Sequence, residues 1–171
     1  GCSVMVYHAV RRPFWHASIA GWKFAGTSLV LGLATSLACL GVAIVVPLGS
    51  TANRGSDLLP TVAVVLVLAV VAKLAFEARD LREAAEGPLG QTAWLLRGPL
   101  KRLVKVRYLL GVVGGLALPA VAATASFAGM PVAVGLLAVG SLVLLLAGEF
   151  IERYLFFTAV AKPMMPGGLP S

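Results

Sequence analysis

The chain has 171 residues, of which 59% are hydrophobic and 12% charged, and its mean hydropathy is +0.94. Soluble domains contain roughly 45–50% apolar and about 25% charged residues, so the composition excludes an ordinary water-soluble domain. The net charge of +7 has the sign of a nucleic-acid-binding protein, but the cations gather at the ends of apolar runs, as topology signals do. We therefore expect a single transmembrane domain over residues 1–171 that binds no nucleic acid.

Two apolar runs in the first half of the chain are long enough to cross a bilayer, which takes about 20 helical residues. The first covers about residues 24–48 and is closed by a polar turn. The second covers about residues 58–76 and contains Lys73, which can pair with Glu77 one helical turn later. The charged string at 77–86 continues the helical pairing, so this helix is predicted to extend beyond the membrane.

The second half of the chain predicts two more spans, at about residues 103–125 and 131–161. Between the second and third spans, residues 88–100 mix aromatic, apolar and basic side chains, which favours an interfacial segment at the headgroup level. A basic ramp enters the third span, and its long cations can snorkel to the interface; it consists of Lys101, Arg102, Lys105 and Arg107. The predicted fold class is therefore all-α, a polytopic transmembrane helix bundle with about four spans.

The distribution of cations predicts the orientation. Basic residues are concentrated before the first span, between the second and third spans, and after the fourth, whereas the other two connections hold only Arg54. By the positive-inside rule, the basic loops and the C-terminus face the cytoplasm. We expect a multi-pass protein of the bacterial inner membrane.

Two pairs of small residues have the spacing that lets transmembrane helices approach closely. They are Gly111 with Gly115 and Gly32 with Ser36. From the sequence, these pairs fit contacts inside the bundle and a dimer face equally well.

Several kinds of site are missing from the sequence. No histidine lies in the four predicted spans, which excludes a membrane cytochrome with haems held between histidines in this stretch. No catalytic triad, zinc motif or phosphate-binding loop can be assembled. We assign no catalytic residue and no metal ligand.

The strongest polar feature is the string around Glu149, Glu152 and Arg153 in the fourth span. An ionisable group near the middle of the membrane costs about 2.5–3.5 kcal/mol on insertion scales, so such groups occur mainly where they are paired or line a polar cavity. Glu149 and Arg153 are four residues apart and share a helix face. They form either a structural ion pair or the wall of a hydrophilic pocket, in which a carboxylate can take protons from a reduced carrier.

A second polar cluster precedes the first span. It combines aromatic and basic side chains: Tyr7, His8, Arg11, Arg12, Trp15, His16, Trp22 and Lys23. An interfacial belt explains these residues without any further function. Alternatively, Arg11, Arg12, Trp15 and Lys23 dock a peripheral subunit, and His8 and His16 donate hydrogen bonds at a quinone site near neutral pH.

Several strings resemble the anchor subunits of respiratory dimethyl sulfoxide reductases, which are related to polysulfide reductase-type anchors. The strings are CSVMVY at residues 2–7, RRPFW at 11–15, KF at 23–24, WLLRGPL at 94–100 and LLAGEFIERYLFF at 145–157. The last string is similar to the family's final helix, in which a Gly-Glu pair is followed four residues later by Arg. Members of that family have about eight spans, so the resemblance implies that this chain corresponds to the C-terminal half.

The resemblance also implies a function. A family member binds quinol, either menaquinol or ubiquinol, and passes its electrons to an iron–sulfur subunit and then to a molybdopterin catalytic subunit, without a haem of its own. Of the residues in this chain, only Glu149 and Arg153 match a recurrent position of the family.

The resemblance disagrees with the cation count on orientation. In dimethyl sulfoxide reductase, the side that corresponds to Arg11, Arg12 and the C-terminal tail faces the periplasm. Either this chain is inverted and serves a cytoplasmic catalytic partner, or its cations form a docking patch that overrides the usual rule.

The sequence thus predicts a haem-free, quinone-reactive membrane anchor of a molybdopterin oxidoreductase. Two alternatives stay open. One is a transporter or channel module in which Glu149, Arg153 and Lys73 line a polar path, and the other is a purely structural membrane tether.

Overall fold

The computed structural model of the chain describes residues 17–46, 51–86 and 101–158. Four long helices account for nearly all of them: α1, Ala17–Val45; α2, Thr51–Glu86; α3, Lys101–Phe127; and α4, Pro131–Thr158. The described residues contain no β-strand. The predicted all-α class is therefore confirmed.

All four helices are long and apolar enough to cross a membrane, which confirms the predicted number of spans. Their apolar segments are Gly21–Val45, Asp57–Arg79, Lys101–Phe127 and Pro131–Leu155. Helix α2 continues beyond its apolar segment to Glu86, as its charged string predicts. The predicted interfacial segment at residues 88–100 lies outside the described residues, as do residues 47–48 of the first predicted span and 159–161 of the fourth.

The helices pack in a ring in which α1 and α3 each contact both α2 and α4. Successive spans run in opposite directions, so the start of α1, the end of the span in α2, the start of α3 and the end of α4 meet at one end of the bundle. Side chains from three helices form most of the core between them: Val30, Ala34 and Leu37 of α1; Leu59, Ala63, Leu66 and Val70 of α2; and Val134, Ala138 and Leu145 of α4.

Helices α1 and α4 cross where two glycines meet. A Cβ atom added to Gly41 would lie 2.8 Å from the Cβ of Ala138 and 3.3 Å from the Cα of Gly135. A Cβ atom added to Gly135 would lie 2.6 Å from a methyl group of Val45. Only glycine permits this approach of the two backbones, which increases the packing contacts that hold transmembrane helices together.

The two small-residue pairs of the sequence have different roles in the bundle. Gly111 and Gly115 face α2, since added Cβ atoms would lie 3.5 Å from Leu74 and 2.7 Å from Val70. This pair therefore makes an internal contact. Gly32, by contrast, has no heavy atom of the described chain within 4 Å of an added Cβ, so its face of α1 points away from the bundle.

The contrast between Gly41 and Gly32 gives a matched test on one helix. We expect Gly41→Ala to lower the free energy of unfolding by about 1–3 kcal/mol, because the new methyl group forces the helices apart. Gly32→Ala is expected to be neutral or to stabilise by up to about 1 kcal/mol, since alanine is the better helix former. Reversible unfolding in mixed micelles measures both variants, and equal effects would contradict the crossing at Gly41.

A π-helical turn, Val113–Ala117, interrupts α3, and a side chain of α4 donates a hydrogen bond to it. In the π pattern, the carbonyl of Gly114 would need the N–H group of residue 119, and Pro119 has none. The buried hydroxyl of Ser141 donates to this carbonyl at 2.5 Å. The unsatisfied backbone group is thereby paired inside the membrane, where no water is available to it.

Helix α3 ends at a glycine turn that leads directly into α4. Gly129 has a φ of +68°, a conformation that glycine adopts without strain. The N–H of Met130 donates to the carbonyl of Ala125 at 3.1 Å and that of Gly129 to the carbonyl of Ser126 at 3.2 Å, as in a Schellman cap. Pro131 then begins α4, at the position where its missing N–H costs least.

Candidate functional site

The core face of α2 carries two charged residues near the end of its span. Lys73 and Glu77 continue the spacing of the apolar core residues Leu66 and Val70, so the periodicity that buries the leucine and valine also buries the charges. Lys73 is 9% and Glu77 8% exposed. Such burial requires partners from other helices.

Every helix contributes to a polar group at this level, which we call the ionic cluster. Its members are Thr27 of α1; Lys73 and Glu77 of α2; Arg107 of α3; and Glu149, Glu152 and Arg153 of α4. Because the start of α1 and α3 and the end of α2 and α4 meet at one end of the bundle, residues far apart in the chain lie at the same depth.

Lys73 contacts all three carboxylates of the ionic cluster. Its Nζ donates to Glu149 Oε1 in a short ion pair and to Glu152 Oε2 at 2.9 Å. The pair with Glu77 that the i,i+4 spacing predicts is present but looser, with Nζ 3.8 Å from Oε1. Lys73 therefore joins α2 to α4 more closely than it pairs within its own helix.

Arg107 is the second cation that bridges carboxylates. Its Nη2 lies 2.5 Å from Glu77 Oε2 and 2.8 Å from Glu152 Oε2. The side chain is only 11% exposed. The sequence-based prediction that Arg107 snorkels to the interface is thus wrong, because two carboxylates on the neighbouring helices attract the guanidinium inward. Lys101, Arg102 and Lys105 of the same basic ramp are exposed.

Glu149 and Arg153 meet at Thr27 and not directly. The hydroxyl of Thr27 lies 2.7 Å from Glu149 Oε2, and Arg153 Nη2 donates to the same hydroxyl at 3.2 Å. The guanidinium of Arg153 also lies 3.9 Å from the ring centre of Phe24, a cation–π contact. Within the described part of the chain, the ion pair of Glu149 is with Lys73, so the hypothesis of a structural Glu149–Arg153 pair is not supported.

The formal charges of the ionic cluster balance, with three cations and three carboxylates. Buried ions are costly to remove from water, and their mutual attraction offsets this cost only when each has well-placed partners. Here Lys73 and Arg107 alternate with Glu77, Glu149 and Glu152. The arrangement keeps charge inside an apolar bundle, and the loss of one member leaves an uncompensated charge.

A small cavity adjoins the ionic cluster on its apolar side. Its volume is about 20 Å³, which is room for about one water molecule. The polar lining consists of Lys73, Arg107 and Glu149, and the remaining wall includes Gly111 and Gly148. Small-molecule sites occupy about 300–1,000 Å³, so this cavity does not fit the ring of a quinone.

The structure brings together only part of the site predicted from the sequence. Glu149 and Arg153 lie in the ionic cluster. Lys23 lies one helical turn before Thr27, and the hydroxyl of Thr27 is 2.9 Å from the carbonyl oxygen of Lys23. The other candidates lie outside the described residues: His8, His16, Arg11, Arg12 and Trp15.

Sequence reasoning missed three members of the ionic cluster as site residues, Thr27, Glu77 and Arg107. It named Lys73 only in the transporter alternative and Glu152 only as part of the polar string in the fourth span. A signal for them was present. In an antiparallel bundle of four spans, polar residues within about two turns of the same end lie at similar depths, and these residues meet that condition. Among the described residues, no group of His, Cys, Asp and Glu side chains is arranged to hold a metal ion.

Comparisons with known proteins identify the family. No curated protein and no solved structure matches the chain. A family model, described as DMSO reductase anchor subunit (DmsC), matches residues 2–159. The match includes all four helices and every member of the ionic cluster. The chain therefore belongs to the DMSO reductase anchor subunit family, as the resemblance in its strings predicts.

Proposed function

We propose that this chain is the quinone-reactive membrane anchor of a molybdopterin oxidoreductase. The family implies a membrane anchor subunit with catalytic and iron–sulfur partner subunits. The further step, electron exchange between membrane quinol and a docked iron–sulfur subunit, is supported by one observation: the buried carboxylates of the ionic cluster at one end of the bundle. The chain itself carries no haem in this proposal, and the iron–sulfur clusters and molybdopterin belong to the partners.

The carboxylates of the ionic cluster can accept the protons that quinol oxidation releases. Oxidation of a quinol releases two protons for every two electrons, and the protons need acceptors near the headgroup. Glu149 borders a cavity with room for one water molecule, and in this proposal it exchanges protons with a water molecule bound there. The headgroup itself then approaches from outside the cavity, and His8 and His16 stay the hydrogen-bond donors that the sequence suggests for it.

Docking of the iron–sulfur subunit is assigned to the basic and aromatic residues before the first span. Arg11, Arg12 and Trp15 supply positive charge and an aromatic ring just before the first span in the sequence, and Lys23 lies near the start of α1, at the end of the bundle that carries the ionic cluster. In this proposal the quinol, the proton acceptors and the electron acceptor meet at that end.

Purification of the protein tests the proposal against its alternatives. We expect iron–sulfur and molybdenum-containing subunits to co-purify with the chain, and the complex to oxidise a soluble menaquinol or ubiquinol analogue. A transporter or channel would purify without these partners, and a pure tether would bring them along without quinol turnover. Either of those results would overturn the proposal.

The orientation is proposed from the cation count, with the basic loops and C-terminus in the cytoplasm of a bacterial inner membrane. A cysteine introduced by Ser171→Cys, in a chain with Cys2→Ser and Cys39→Ala, is expected to resist a thiol reagent that cannot cross the membrane when the reagent is added to intact cells. Permeabilised cells provide the positive control. Labelling of the intact cells would show a periplasmic C-terminus.

A further inference from the structure

Thr27 has more hydrogen-bond neighbours than one hydroxyl group can serve. A threonine hydroxyl has one proton to donate and two lone pairs. Its Oγ1 lies 2.7 Å from Glu149 Oε2 and 2.9 Å from the carbonyl oxygen of Lys23. When Glu149 is ionised, both neighbours are acceptors, so the hydroxyl proton can serve only one of them.

The two remaining neighbours of Thr27 are cations that donate to it. Lys73 Nζ lies 3.3 Å and Arg153 Nη2 lies 3.2 Å from Oγ1. These donors occupy the two lone pairs, and the hydroxyl proton is left for the acceptors. With Glu149 ionised, the carboxylate attracts that proton, while the carbonyl of Lys23 keeps the N–H partner that its position in a helix provides.

Protonation of Glu149 would reverse the direction of this hydrogen bond. A protonated Oε2 becomes a donor to Oγ1 of Thr27, and the hydroxyl proton of Thr27 then turns to the carbonyl of Lys23. Lys73, which makes the longest of the four contacts, can release Thr27 because Glu152 still accepts from its Nζ at 2.9 Å. Both protonation states of Glu149 therefore have a complete set of hydrogen bonds.

We propose that Glu149 is a proton-exchanging carboxyl group and that Thr27 is its positioning residue, whose hydroxyl turns between Glu149 and the carbonyl of Lys23 as the proton arrives and leaves. The inference rests on the proposed function and deepens it, because it assigns to Thr27 the positioning of the carboxyl group that exchanges protons.

The proton reaches Glu149 through the adjoining cavity. An O–H bond of a hydronium ion in the cavity breaks, a new O–H bond forms on the carboxylate of Glu149, and a neutral water molecule is left. The release of the proton from Glu149 is the reverse step. The charged groups around Glu149 come from three helices: Lys73 and Glu77 of α2, Arg107 of α3, and Glu152 and Arg153 of α4. Their positions make the exchange dependent on the whole ionic cluster.

Infrared difference spectra after a pH jump test the proposal on the full protein complex in lipid. The carbonyl stretch of a protonated carboxyl group lies apart from the amide bands, and we expect such a band to appear and disappear with pH and to be lost in Glu149→Gln. Thr27→Val should shift the frequency of the band, because valine has a similar shape but no hydroxyl. Thr27→Ser should restore it, and Thr35→Val, on the outward face of the same helix, should leave it unchanged.

A second pair of variants tests the cavity. An added Cβ at Gly148 meets only ordinary contacts, 3.6 Å from Leu110 and 3.9 Å from the carbonyl of Arg107, and it occupies part of the cavity wall. We expect Gly148→Ala to slow the appearance of the band. Gly140→Ala adds the same methyl group on the same helix, 3.5 Å from Leu118 and away from the cavity. This control variant should not slow the appearance of the band.

The outcomes separate this inference from the proposed function. A carboxyl band that persists in Glu149→Gln, or the absence of any such band, overturns proton exchange at Glu149. Identical spectra for Thr27→Val and the unmodified protein overturn the role of Thr27. The spectra need no quinol, so a band that behaves as expected in a complex without quinol turnover would refute the proposed function and leave this inference standing.

Discussion

Replacement of Lys73 by methionine is expected to lower the free energy of unfolding by about 3–5 kcal/mol, since removal of one partner from a buried ion pair leaves an uncompensated charge. Lys73 is the cation within reach of Glu149, Glu152 and Glu77. Without it, Glu149 loses its ion pair, and Glu77 and Glu152 keep only Arg107. Reversible unfolding in mixed micelles measures the loss.

Two further variants make this prediction specific. Lys105→Met is the same change at an exposed position of α3, and we expect it to alter stability by less than about 0.5 kcal/mol. The double variant Lys73→Met with Glu149→Gln removes both members of the closest pair, so its loss should be smaller than the sum of the two single losses. A Lys73→Met protein as stable as the unmodified one would mean that the ionic cluster is solvated and contributes little.

The four spans could be predicted because lipid imposes a simple requirement on sequence. A helix must present about 20 apolar residues to cross the bilayer, and the charged residues of the four apolar segments lie only within about two turns of an end. The turn between the third and fourth spans could also be predicted, because glycine often ends a helix and proline is favoured at the first position of the next one.

The partners of the charged residues could not be predicted in the same way. Sequence spacing gives contacts within one helix, such as Lys73 with Glu77, but not the contacts between helices that determine which of several cations a carboxylate meets. Glu149 pairs with Lys73, 76 residues away in the chain, and not with Arg153, which is four residues away. The rotation of α4 about its axis decides between these partners, and that rotation depends on how α4 packs against α1 and α3, which spacing within one helix does not give.

The same limit explains the error at Arg107. A cation in the first turns of a transmembrane helix usually extends to the interface, and the run of cations from Lys101 onward fits this habit. Arg107 differs because it shares a face with Gly111 and Gly115, which the structure places against α2. Because the face of α3 with Gly111 and Gly115 points into the bundle, Arg107 on the same face also points into the bundle.

Glu149→Gln is expected to lower quinol-dependent turnover of the complex by about 10²- to 10⁴-fold, the usual contribution of a positioned proton acceptor. Glutamine keeps the shape and can still accept a hydrogen bond from Lys73 and Thr27, but it cannot take up a proton. The measurement is the turnover number with a soluble quinol analogue as the electron donor and the substrate of the catalytic subunit as the acceptor.

A reduced viologen dye provides the control for this last variant. It delivers electrons directly to the iron–sulfur and catalytic subunits, so its turnover should be unchanged in Glu149→Gln if the complex is assembled. Loss of quinol turnover with intact dye turnover locates the defect at the membrane anchor. Equal losses with both donors would indicate failed assembly, and unchanged quinol turnover would show that the buried carboxylates of the ionic cluster hold the helices together without handling protons.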